Sequence, residues 1–428
     1  MQGTVPSPYS GLIITNEKSK ANVNKKSVKE ILCIFFYIFA LFQDPIEAIV
    51  PSIQLFDEIV FAVVSFCATC LILKRNFKIK RHYMYIIFLC FGIVLIGLCG
   101  NCLTGYQSDY LAILKDIIAF LKFPLGFISF MYFLHDVRRN SIFKTCSTIS
   151  KIFIVTCFLF GVLSIVFPNE ILSHDFRHGI WSYRFVYSHP TFLVVCLVLC
   201  FASIVAVNQK FDIYKLLCLI TLVLTMRDKA FAFVALVLLV YFVKMENKKR
   251  LFPYIILSLV VIGVVAFPKI SEYMMSASSP REALYANGFK MANMHFPFGG
   301  GLASWASSLS GEYYSSAYSF FGIDIMDGLR PDAFYDMGDA GYAYYIGEYG
   351  WVGLIGFLLV LYLIFTCVYR YSLPDSGIRI SIICVFGYLI SALTVEAVLT
   401  NASGIELAFV LVLLNNERCQ AVPRFNRY

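Results

Sequence analysis

Charge is scarce in this sequence. Charged residues make up 14% of the 428, against 59% hydrophobic, and mean hydropathy is +0.74. Soluble globular domains carry about 25% charged residues, so a chain bathed in water over most of its length is excluded, and the bilayer is the solvent that fits. If a crossing takes roughly 20 residues, twelve crossings take about 240 and leave no room for a large soluble catalytic domain. An apolar core ahead of Val28 is also missing. Met1 to Ser27 is polar, with Lys18, Lys20, Lys25 and Lys26, so no cleavable signal peptide is expected. Cysteine is absent from 268–348, which excludes a disulfide within that segment, and Cys102 is the one cysteine expected in an outer loop. The net charge of +8 reports orientation in a membrane protein, and nucleic-acid binding is not expected.

Apolar runs lie near 29–45, 56–73, 83–99, 109–134, 151–167, 190–207, 213–225, 230–243, 252–267, 350–369, 379–396 and 403–414. Within 213–243, Arg227, Asp228 and Lys229 interrupt the run. As one helix it would be about 46 Å long against a hydrocarbon core of roughly 30 Å. Taken as two helices with the N-terminus inside, the cytoplasmic segments hold 25 of the 35 Lys and Arg, whereas one crossing would put the last three basic groups outside. The expectation is an all-α polytopic integral membrane protein. It has a cytoplasmic tail (1–28), nine helices with short loops (29–267), one long outer-face loop (268–348), three more helices (349–414) and a cytoplasmic tail (415–428).

Ionisable groups at membrane depth are functional candidates by default, with a snorkelling turn as the alternative for Arg227, Asp228 and Lys229. Lys115 and Lys122 stand seven apart on one helix face and could line one cavity, or serve an interface. Arg281 follows Ser279 and Pro280 at the start of a helix through Tyr285, Phe289 and Ala292, where an arginine can bind phosphate at two points. The turn at Gly299, Gly300 and Gly301 is either a phosphate cradle or a plain flexible turn. His174 and His178, with Glu170 and Asp175, could present metal ligands from one helical turn, although loop-surface histidines explain them better. Cys67 and Cys70, within an apolar helix, suit close helix packing better than redox chemistry. Asp332, Asp336 and Asp339 precede an aromatic run, where a carboxylate could deprotonate an attacking hydroxyl and rings could stack on sugars.

Four stretches together resemble the bacterial O-antigen polymerase and ligase superfamily, which comprises Wzy-type polymerases and WaaL-type ligases. They are Tyr183 to Pro190, Leu224 to Arg227, Ser279 to Arg281 with His295 to Gly301, and Asp339 to Gly353 with Tyr342, Glu348, Gly350 and Gly353. The resemblance implies a GT-C-like membrane glycosyltransferase in the bacterial cytoplasmic membrane that needs neither a metal nor another cofactor. Its donor and acceptor would be oligosaccharides linked to undecaprenyl pyrophosphate, with the bilayer, a chain-length regulator and a flippase as partners. Arg227 and Arg281 would hold the pyrophosphate with Arg184 as a third basic contact, and His189, Lys229, His295, Tyr342 and Glu348 are further contacts. Where ligases typically carry a His-Asn pair, this sequence has Asp339-Ala340. That difference favours a polymerase of O-antigen, capsule or exopolysaccharide and makes Asp339 the candidate catalytic base. The rivals are ligation to a lipid A core and, in another class, transport of an anionic lipid-linked sugar.

Overall fold

The computed structural model describes residues 27–75, 79–137, 139–177, 179–244, 279–372 and 376–415. Its elements are α1 (Val28–Ile49), α2 (Phe56–Arg75), α3 (Arg81–Thr104), α4 (Tyr110–Phe133), α5 (Arg139–Val166), β1 (Ser173–Arg177), β2 (Ile180–Tyr183), α6 (Pro190–Val207), α7 (Ile213–Leu224), α8 (Asp228–Lys244), α9 (Pro280–Met294), α10 (Ser308–Glu312), α11 (Ala317–Phe320), α12 (Gly341–Tyr371), α13 (Ser376–Ala392) and α14 (Ala402–Leu414). The helices α1 to α8 and α12 to α14 overlap expected apolar runs, α5 and α12 beginning well before theirs, and the remaining run, 252–267, lies outside the described residues. Among the described residues, Val28–Ile49, Pro51–Lys74, Arg81–Thr104, Ser141–Val166, Pro190–Val207 and Gly341–Arg370 are long and apolar enough to cross a membrane. The protein is mostly helical and membrane-embedded.

The middle of the bundle is set by helices that are buried all round and almost wholly apolar, Glu406 of α14 being the charged exception. In α6, Leu193 to Val205 is buried without interruption, as is Ser403 to Leu414 in α14. Such helices have no face fit for water and belong inside a bundle. α6 packs on α5 and α13, and α14 packs on α4. Within lipid, interhelical hydrogen bonds supplement van der Waals packing. The Tyr37 hydroxyl joins α1 to Ser150 of α5 at 2.7 Å and to Ser203 of α6 at 3.0 Å.

The 213–243 stretch is two helices, turning at Thr225 to Arg227 with Met226 at φ 52°. α7 has 12 residues, so it rises only about 18 Å. Lys115 and Lys122 do not share a cavity. Lys115 pairs with exposed Glu312 at 3.0 Å, whereas buried Lys122 is held by Asp57 and by Glu58 at 3.0 Å. α3 runs on to Thr104, which places Cys102 in a helix rather than a loop.

α12 begins at Gly341, inside the segment expected to be loop through 348, and breaks at Gly350, where φ is 64° and ψ −170°. Tyr344, Tyr345, Glu348 and Tyr349 are buried against protein, so this first part of the helix lacks the apolar surface that marks a lipid-facing run. The break leaves two carbonyls for the glycine turn. Gly300 N–H donates to Gly347 O at 2.7 Å and Gly301 N–H to Glu348 O at 2.9 Å. A Cβ on Gly299 would collide with Gly350 N. The turn's close approach is therefore to this chain's own backbone, and these two amides do not face a ligand.

Candidate functional site

At one end of the bundle, five pieces of chain, together with Ser308, enclose a cavity of about 620 Å³. They are the β1–β2 hairpin with the start of α6, the α7–α8 turn, the first turn of α9, residues 335–339, and the α13–α14 turn. Backbone bonds lock the last two together, since Ala397 N–H donates to Gly338 O at 2.8 Å and Tyr342 N–H to Leu393 O at 3.0 Å. Arg227, Lys229, Arg281, Asp339 and His189 all line the cavity. These five sequence-derived candidates, far apart in the chain, share one space.

Each is placed by local sequence. Ser279 and Glu282 form a reciprocal cap and Pro280 occupies the first helical position, which starts α9 where Arg281 reaches the cavity. His189 caps α6 by accepting from Thr191 N–H at 3.3 Å, again with proline at the first helical position. The left-handed turn at Met226 puts Arg227 just before α8 and Lys229 in its first turn.

The cations are held from behind by carboxylates. Arg227 Nη2 donates to Asp175 Oδ1 at 2.8 Å, and the same carboxylate takes Arg177, His174 at 3.1 Å and Ser182. Burial alone would raise the Asp175 pKa, but Ser182, Arg177 and Arg227 hold it well below the usual carboxylate range. Lys229 is bonded to Glu396, whose other oxygen accepts from Asn401 Nδ2 at 2.7 Å. Arg281 donates through Nε to the Asp339 carbonyl at 2.8 Å and through Nη2 to Asp339 Oδ2 at 3.0 Å.

Among the side chains lining the cavity, one donor stands out. Arg227 is only 7% exposed, and its buried Nε has no hydrogen-bond partner among the described residues. A buried donor left unpaired costs roughly 1–3 kcal/mol. Burial and the nearby Arg177 bring the Arg227 pKa down to about 10, so the group stays charged at neutral pH. Asp339, whose side chain is 47% exposed, is raised above the ordinary aspartate value by burial of its surroundings, with Arg281 opposing. His189 is driven down to about 3 by burial and by Arg227, His174 and Lys229, so it is neutral in the working range.

Four other candidates lie elsewhere. Arg184 bonds to the carbonyls of Ser188, at 2.8 Å, and Glu170, pinning its own loop. His295 bonds to the Tyr106 hydroxyl at 3.1 Å, Tyr342 to the Ile390 carbonyl at 3.2 Å, and Glu348 is buried beneath Trp305 N and Ser307 Oγ. Residues 173–177 form a strand, so the helical turn that would have joined His174 to His178 is absent there, and His178 lies outside the described residues. Among the described residues no group of three or more His, Cys, Asp or Glu could hold a metal. Sequence reasoning missed Glu396 and Asn401, and it gave Asp175 and Arg177 no anion-site role.

No protein-family model matches the chain, and no curated protein matches it as a relative.

Proposed function

We propose that the protein is a glycan polymerase of GT-C-like architecture. It would move a growing glycan from undecaprenyl pyrophosphate to the hydroxyl of a second lipid-linked repeat unit, on the outer face of a bacterial cytoplasmic membrane with both termini inside. The observation that carries this reading is Arg227, a buried cation with an unpaired Nε in the wall of a cavity that also holds Lys229, Arg281 and Asp339. Arg227 is already paired with Asp175 through Nη2, but the Nε of its charged guanidinium is left without an acceptor among the described residues, and a diphosphate supplies acceptor oxygens together with a good leaving group.

The chemistry follows from these positions. The acceptor oxygen forms the new bond to the anomeric carbon of the donor, and the old bond from that carbon to the diphosphate oxygen breaks. Its electron pair leaves with the diphosphate, and the acceptor proton passes to the Asp339 carboxylate. Arg227, Lys229 and Arg281 meet the developing negative charge. Their carboxylate partners already hold them in position, so little reorganisation is needed during the reaction. The Asp339-Ala340 pair favours polymerisation over ligation. Against transport stands α6, which starts at the cavity edge and is buried from Leu193 to Val205.

The test is to incubate the purified protein in nanodiscs with an undecaprenyl-pyrophosphate-linked repeat unit and resolve the products. A ladder of multiples supports the reading. No ladder with the native unit overturns it and turns attention to a lipid A core acceptor or to transport.

A further inference from the structure

The β1–β2 hairpin has two chemically different faces. Asp175, Arg177 and Ser182 meet one another on the face turned to Arg227. Directly opposed across the strands, Phe176 and Trp181 lie on the other face, with ring centroids 5.5 Å apart at 71°. They are 61% and 45% exposed, costly in water for the two largest apolar side chains of the hairpin.

Depth explains the exposure. The Tyr183 hydroxyl at the hairpin root donates to the Cys157 carbonyl of α5 at 2.8 Å. Cys157 lies nine residues before the end of α5 at Val166, or about 14 Å below it along the helix. Allowing for the length of the tyrosine side chain, the root still lies below the apolar end of α5. That end exposes Leu159, Leu163 and Phe167, and the apolar surface continues through Ile171 to Phe176. A hairpin beside the last turns of a lipid-facing helix is at the level where aromatic side chains gather in membranes.

We propose that the hairpin is seated in the bilayer interface, with Phe176 and Trp181 among the lipid headgroups and upper acyl chains, while its Asp175 and Arg177 face closes the cavity. The cavity's cations then sit at headgroup depth. This rests on the membrane placement in the reading above but not on polymerase activity.

The test uses the full chain in phosphatidylcholine nanodiscs and its three tryptophans. Lipid brominated near the headgroup end of its acyl chains should quench a tryptophan component that aqueous iodide does not reach. In Trp181→Phe, a conservative change at an exposed ring, that component should be lost while near-ultraviolet circular dichroism from buried Trp305 persists. Quenching of Trp181 by iodide and not by bromine overturns the inference, as does quenching by neither. The readout needs no substrate, so a seated hairpin without a product ladder would count against the polymerase alone.

Discussion

Arg281 grips Asp339 twice, through its backbone carbonyl at 2.8 Å and its carboxylate at 3.0 Å. The phosphate-binding candidate and the candidate base are thus one contact, and Arg281 also fixes where the base points. A lysine offers a single charged point and cannot hold both oxygens in that geometry. Arg281→Lys should therefore lose nearly as much polymerisation rate as Arg281→Ala. Loss of one hydrogen bond to a charged group, roughly 1.5–3 kcal/mol, corresponds to about a 10- to 100-fold fall. Full activity of the lysine variant in the ladder assay would remove Arg281 from both roles.

Asp339 must be deprotonated to accept the acceptor's proton. Burial raises its pKa, so the active form is lost as pH falls, beginning above the ordinary aspartate value of about 3.9. Initial ladder rate should rise with pH along an acidic limb placed above that value. Asp339→Asn should abolish transfer while leaving lipid-substrate binding intact. A normally active Asn variant, or a limb at the ordinary value, would end the assignment.

The residues that were legible in the sequence are the ones whose charge is costly where they stand. Arg227 and Lys229 interrupt an apolar run, Arg281 follows Ser279 and Pro280 at a helix start, and Asp339 stands where a motif is recognisable. Glu396 was hidden because the apolar run reads through it, as 379–396. The helix in fact ends at Ala392, and 393–401 turns over the cavity. A lone carboxylate followed by Thr400 and Asn401 between two apolar helices was the available signal. His295, Tyr342 and Glu348 belong to recognisable stretches, yet the fold uses them on Tyr106, Ile390 and Trp305. Motif order places residues in the same segment, but whether a side chain meets a cavity or a neighbouring carbonyl depends on packing. The Gly350 break shows the same limit, because the aromatic stretch before it buries against the glycine turn rather than lipid.

Lys229 and Glu396 are 3% and 13% exposed, so removing one partner strands a buried charge, at a cost of about 3–5 kcal/mol. Lys229→Met and Glu396→Gln alone should each lower the thermal midpoint in detergent. The double variant should recover much of the loss, because it leaves neither charge unpaired. Additive losses would show that the two side chains act independently.

His189 accepts from Thr191 N–H at the start of α6, and its pKa of about 3 makes it a weak proton acceptor at neutral pH. Its contribution is then the cap. Asparagine can accept the same bond, so His189→Asn should keep both stability and ladder formation. His189→Ala should cost about 1 kcal/mol in unfolding free energy. A large activity loss in the asparagine variant, with an unchanged melting midpoint, would instead assign the imidazole a direct contact with substrate.

Gly350 and Gly92 allow the helix break to be tested against an internal control. An alanine at 350 would have to adopt φ 64° with ψ −170°, a region essentially reserved to glycine, at a cost of roughly 1–3 kcal/mol. Its Cβ would also meet Pro297 O at 2.7 Å and Gly299 N at 2.8 Å, both backbone atoms that cannot swing aside. At Gly92, within α3, an added methyl group would meet nothing within 4 Å, and alanine there favours the helix by about 1 kcal/mol. Gly350→Ala should therefore lower the melting midpoint and open the contact between residues 297–301 and α12, seen as faster hydrogen exchange at Gly300 and Gly301. Gly92→Ala should hold or raise the midpoint. If both variants melted alike with unchanged exchange, the break at Gly350 would not be what anchors the glycine turn.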